Sequence, residues 1–196
     1  IGLTVVAIVH LLTIRVEETR IVHAEGEKPK VDIPGTIAVI RKIPGLFGLI
    51  FFNTLNNFLG GVFMALMDAY GLSLVSVQAW GTIWAVLSTG FIIGGLVVAR
   101  TGLGKSPIRL LFLSNIVMWT ICIFFTVQAS IILLSAGMFI FLCLIPVVEA
   151  AEQTVIQKVI PPDRQGRVFG FAQSIEQAAS PLTAFMIGPI AQYVFI

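Results

Sequence analysis

The chain has 196 residues, of which 57% are hydrophobic and only 11% charged, with a formal net charge of +2 and a mean hydropathy of +1.00. A soluble domain carries about 25% charged residues to keep its surface wet, so these polar residues cannot cover the surface and lipid must be part of the solvent. An ordinary water-soluble enzyme is excluded, and no nucleic acid is expected among the partners.

In chain order, residues 1–14 form an apolar run that opens without Met, a basic n-region or a small-residue cleavage site. It therefore reads as the end of a transmembrane helix whose start is missing, not as a signal peptide. Its His10 is expected to be a hydrogen-bonded packing residue. Residues 15–45 read as a polar linker followed by an amphipathic helix. Asp32 is a candidate cap, Pro34 falls in the first turn, and Ile33, Ile37 and Ile40 share a face. Arg41 and Lys42 close the segment before Pro44-Gly45 stops it, which suits a helix lying on the membrane surface.

Residues 46–196 contain the apolar stretches Leu46–Met67, Val75–Val98, Leu110–Gln128, Ile131–Gln157 and Val168 to the end. The complete ones approach the ~20 residues a helix needs to cross the hydrocarbon. The strict alternation of membrane strands is absent. The expected fold is thus all-α, a polytopic membrane helix bundle. All 12 basic residues fall in three alternate connections, 15–45, 99–109 and 158–167. The links around Asp68–Ser73 and Ala129–Ser130 have none, so the basic connections are expected to face the cytoplasm.

Three helices carry polar stripes at i, i+3/i+4 spacing. Asn53, Asn56, Asn57, Gly60 and Gly61 form the first; Glu149, Glu152, Gln153 and Gln157 the second; Gln173, Glu176, Gln177, Ser180 and Thr183 the third. Polar groups at membrane depth are costly and face protein or water. One stripe alone would suggest hydrogen-bonded helix packing; three, two of them with carboxylates, suggest a shared hydrated cavity. Gly90 and Gly94 permit close helix approach, and Pro146, Pro181 and Pro189 should bend their helices. Cys122 and Cys143 lie in apolar runs without CxxC or Cys/His neighbours, so they read as packing residues. No phosphate loop, HExxH or GxSxG occurs. No catalytic residue, cofactor or metal is therefore expected.

Two connections carry a family resemblance. Gly95-Leu-Val-Val-Ala99-Arg100-Thr101-Gly102, followed by Leu103-Gly104-Lys105, resembles the G-x-x-x-D-R-x-G-R-K/R signature of major facilitator superfamily transporters, with Ala99 in place of its Asp and Leu103 in place of an Arg. Ile160-Pro161-Pro162-Asp163-Arg164-Gln165-Gly166-Arg167-Val168-Phe169 is similar to the I/V-P-P-x-x-x-G-R-V-F segment joining helices 10 and 11 in drug-exporter members, the macrolide-efflux-like and enterobactin-exporter-like branch. Gln165 stands where that branch commonly has Arg. Ile43-Pro44-Gly45-Leu46 is similar to its entry into helix 7. The resemblance spans nearly the whole chain and implies most of the C-terminal six-helix half, from the end of helix 6 to helix 11.

The resemblance implies a secondary active exporter in the cell membrane that works by alternating access. Its implied partners are the lipid bilayer, a small amphipathic or hydrophobic substrate, protons and the N-terminal half of the same chain. It also implies a cytoplasmic gate in which Glu152 pairs with Arg100 and Arg167. For proton coupling the residues themselves point to Glu149 and Glu176. Glu149 lies nine residues before Lys158 and Glu176 eight after Val168, roughly 13 and 12 Å along antiparallel helices. Glu176 is the stronger candidate, because Gln173, Gln177 and Ser180 share its face. A facilitator, a lysophospholipid-type lipid transporter and a non-transporting scaffold subunit are the alternatives. The first two require an open cavity and the scaffold a closed one.

Overall fold

The computed structural model describes residues 10, 13 and 33–194. The expected helix end over 1–14 (apart from His10 and Thr13), the polar linker and the candidate cap Asp32 lie outside the described residues. The chain divides into two compact units, Ile1–Asp32 and Ile33–Ile196. In the first, Thr13 Oγ1 donates to the His10 carbonyl at 2.6 Å, and His10 is exposed.

The second unit is built from seven helices, with no strand among the described residues. Helix α1 (Ile33–Lys42) has Pro34 in its first turn, where a missing N–H costs nothing, and Arg41 and Lys42 in its last, where cations oppose the helix dipole. It packs on the two helices labelled α2 and α7 below, and Ile40 is buried. Gly45, at φ 82°, makes the turn into α2 (Leu46–Leu74). A side chain there would be strained. Helix α2 runs past Met67 because nothing breaks it until the extended Val75.

The stretch expected as one span is two helices, α3 (Val77–Leu87) and α4 (Thr89–Thr101), interrupted at Ser88. The Ser88 and Thr89 hydroxyls donate back to the carbonyls of Ala85 (2.8 Å) and Val86 (2.7 Å). Such back-bonding competes with the main-chain ladder and bends helices. Gly102 and Gly104, both at φ 65°, turn the chain into α5 (Pro107–Thr126), which starts on proline. Helix α6 (Ile131–Val159) follows and keeps Pro146 inside it; α7 (Pro162–Val194) keeps Pro181 and Pro189. Serines cap α3 and α6: Ser76 accepts from the Ala79 N–H and Ser130 from the Leu133 N–H.

The segments Leu46–Leu74, Val77–Thr101, Pro107–Phe125 and Ile131–Val159 are long and apolar enough to cross a membrane. Helix α7 is longer still, but its charged first turns and its polar stripe lower its hydropathy. It lies along α2, while α6 packs against α4 and α5. Small residues set these contacts. Gly61 lies against the Ser180 backbone and Gly90 and Gly94 against α6 at Phe139 and Cys143, the close approach expected of small residues between membrane helices. Large apolar side chains such as Phe47, Val86, Ile123 and Phe185 stay exposed around the outside, as a lipid-facing surface requires.

Two apolar cores close the bundle at its ends. One, at the end with the basic connections, gathers Ile40, Leu49, Ile50, Leu111, Ala151, Ile156, Val168 and Ala172. The other gathers Met67, Trp80, Leu87, Met118, Phe125, Leu134, Met138 and Phe141. Along α2, α6 and α7 the polar stripes fall between these cores.

Candidate functional site

A cavity of about 550 Å³ lies between the two cores, open on one side. Asn53, Asn56, Asn57 and Gly60 line it from α2, Glu149, Glu152 and Gln153 from α6, and Gln173, Glu176, Gln177 and Ser180 from α7. The three stripes converge because helical spacing puts each set on one face. Gly61, Gln157 and Thr183 do not line it. Gly61 and Thr183 pack between α2 and α7, with the Thr183 hydroxyl donating to the Ala179 carbonyl at 2.8 Å. The Gln157 carbonyl accepts from Gln165 at 3.0 Å.

Sequence reasoning missed the α5 wall, formed by Asn115, Met118 and Trp119. Asn115 and Trp119 are four residues apart, a weak signal inside an otherwise apolar run. Trp119 Nε1 donates to Asn56 Oδ1 at 2.7 Å, and Asn56 Nδ2 donates to the Phe52 carbonyl at 3.0 Å. Asn57 Nδ2 donates to the Asn53 carbonyl at 3.0 Å, and buried Asn115 Nδ2 to the Leu111 carbonyl at 2.9 Å. These amides are committed to structure. The cavity wall toward the second core is aromatic, with Phe63 and Phe141 stacked at 5.0 Å and Trp119 edge-on to Phe141.

Uncommitted polarity concentrates at one place. The side chains of Glu152, Glu176 and Asn53 interact with one another, and the Glu149 charge also acts on Glu152. Asn53 and Glu176 are buried, at 3% and 4% exposure. Yet Asn53 Nδ2 and Glu176 Oε1 have no hydrogen-bond partner of good geometry. Orphaned buried polar atoms cost about 1–3 kcal/mol each, so their presence calls for an explanation.

The carboxyl that meets Glu176 is Glu152, not Glu149. Glu149 is exposed and lines the cavity one helical turn away. The two share one face of α6, about 60° apart, and Glu152 lies about 4.5 Å further along the helix axis. For the expected gate of Glu152 with Arg100 and Arg167, no interaction of Glu152 with either arginine is seen. The groups acting on Glu152 are Glu176, Asn53 and Glu149, with neither Arg100 nor Arg167 among them. Both arginines are exposed. Among the described residues, no group of three His, Cys, Asp or Glu could hold a metal ion, and Cys122 and Cys143 are half-buried and form no disulfide.

A helix bundle with an apolar exterior and an acidic, amide-lined cavity at membrane depth defines a membrane protein that handles a solute or an ion inside the bilayer. The family model of the Major Facilitator Superfamily matches residues 1–184, and the chain belongs to that superfamily of membrane transporters. No curated protein and no solved structure gives a significant match.

Proposed function

We propose that the chain forms most of the C-terminal half of a proton-coupled exporter of the drug-exporter branch, an antiporter that moves a small amphipathic or hydrophobic compound out across the plasma membrane. In this reading the basic connections 15–45, 99–109 and 158–167 face the cytoplasm, and the cavity is one wall of the translocation path.

The observation that carries the reading is the Glu152–Glu176 pair beside Asn53 in the cavity wall. Two carboxyl groups in contact attract when one proton lies between them and repel when both are ionised. Proton occupancy therefore changes how tightly α6 holds α7, which is what coupling to alternating access requires. Glu149, exposed to the same cavity, is placed to pass protons between the pair and water. The open cavity argues against a scaffold, and acids meeting inside the bilayer favour coupled transport over a facilitator.

The test is Glu152→Gln and Glu176→Gln in the intact transporter, with an amphipathic fluorescent dye as the probe. Each variant should abolish dye efflux driven by an imposed proton gradient and leave gradient-independent exchange intact. Full gradient-driven efflux in both variants would refute the coupling role.

A further inference from the structure

The cavity of about 550 Å³ has two unlike ends. Glu149, Glu152 and Glu176 gather at one, and no Lys, Arg or His lines the cavity among the described residues. The other end is aromatic, with half-buried Phe63 stacked on Phe141 and Trp119 edge-on to the same ring. The volume suits a small molecule, and the polarity of the walls says which kind.

The acidic end is left incomplete by its own chain. Glu149 is exposed to the cavity, and none of the described lining residues is a base that could neutralise it. Glu176 Oε1, on a side chain only 4% exposed, is an acceptor without a donor. Asn53 Nδ2, which belongs to the same cluster, does not reach it with good geometry. A protonated amine brings what this end lacks, N–H donors and a positive charge in one group. A neutral solute brings at most the donor, and an anion is repelled. At the other end, stacked and edge-on rings favour a further aromatic group. Phe141 and Glu149 are eight residues apart on α6, so a solute that touches both ends carries its charge about 12 Å from its ring.

We propose that the exported compound is an amphipathic organic cation. Its protonated amine is held among Glu149, Glu152 and Glu176, and its aromatic tail lies against Phe63, Phe141 and Trp119. This assignment rests on the cavity being one wall of the translocation path. Glu149 is the residue that selects charge, because it is exposed to the solute while Glu152 and Glu176 are engaged with each other.

The experiment is equilibrium dialysis of the intact transporter in detergent, with no proton gradient, against ligands that share a diphenylhexyl tail and end in ammonium, hydroxyl or carboxylate. The wild type should bind diphenylhexylamine most tightly and diphenylhexanoate most weakly, with diphenylhexanol between them. Glu149→Gln should weaken the amine about tenfold, the loss of one charge contact in a partly aqueous site, and leave the alcohol unchanged. Glu149→Lys should reverse the preference toward the carboxylate. Phe63→Leu should weaken all three ligands about threefold, and Asp68→Asn, which removes a charge outside the cavity, should change none. A wild type that binds the alcohol as tightly as the amine would overturn the proposal. So would equal losses for amine and alcohol in Glu149→Gln, the result expected if a base from the N-terminal half of the chain already occupies Glu149. Either failure removes the substrate class alone, because proton coupling is read separately, from gradient-driven efflux in Glu152→Gln and Glu176→Gln.

Discussion

Gly61 and Gly60 are neighbours on α2, and the packing predicts opposite responses to the same substitution. A Cβ at Gly61 would stand 2.5 Å from the Ser180 carbonyl oxygen, 2.9 Å from its Cα and 3.0 Å from Thr183 Cβ. Ordinary contact begins at 3.4 Å, so α2 and α7 must separate by about 0.9 Å. The obstructing atoms include α7 backbone, which has no rotamer to yield. Overpacking of this kind costs about 1–3 kcal/mol, and alanine's better helix propensity returns only about 0.5–1 kcal/mol. Gly60 has nothing within 4 Å of its Cβ position, so Gly60→Ala should be neutral or slightly stabilising. The assay is thermal unfolding of the intact transporter in detergent, with the two variants side by side. Gly61→Ala should melt several degrees below Gly60→Ala and should also disturb transport, because Asn53 and Glu176 lie on the helices being forced apart. Coincident melting curves would refute the claim that the α2–α7 interface is set by backbone contact at Gly61.

Trp119→Phe removes the 2.7 Å bond to Asn56 and should cost about 1 kcal/mol, whereas Asn56→Leu strands the indole N–H and should cost about 1–3 kcal/mol; a reversed order in thermal unfolding would contradict the geometry. Asp68 accepts from Trp80 Nε1 at 3.0 Å and Trp84 Nε1 at 3.3 Å, pinning α2 to α3. Asp68→Ala should lower the melting temperature and shift tryptophan emission to the red, Asp68→Asn should keep most of the wild-type behaviour, and identical spectra for Asp68→Ala and wild type would rule out the clamp. Gln165 Nε2 donates at 3.0 Å to the carbonyls of both Gln157 and Ile160, closing the C-terminal end of α6. Gln165→Ala should speed amide exchange over residues 157–166 about fivefold, from the loss of about 1 kcal/mol, and unchanged exchange would show the end of α6 to be held otherwise.

Hydropathy and helical period made the membrane class and the three polar stripes legible, because both follow from local sequence. The stripes at Asn53–Gly60, Glu149–Gln153 and Gln173–Ser180 needed only a spacing of three to four. What spacing does not carry is the azimuth of one helix against another. Residue counting therefore gave Glu149 and Glu176 similar depths, but not which carboxyl of α6 reaches Glu176. The α5 wall was hidden for a related reason. Asn115 and Trp119 make no stripe of their own and acquire their role only from Asn56 on α2. The break at Ser88 was not legible either, since serine and threonine are tolerated in membrane helices and no proline marks the site. Extra helix at the starts of α7 and the end of α2 reflects capping and turn geometry, the least determined part of any helix reading.

The central claim is that Glu152 and Glu176 carry a proton as a pair. Infrared difference spectroscopy of the intact transporter across pH tests it without a substrate, because a protonated carboxyl has its own C=O stretch. The account predicts one such band that titrates reversibly and is lost or shifted in both Glu152→Gln and Glu176→Gln. A band that both variants leave untouched, or no protonated carboxyl at any pH where the protein stays folded, would contradict it.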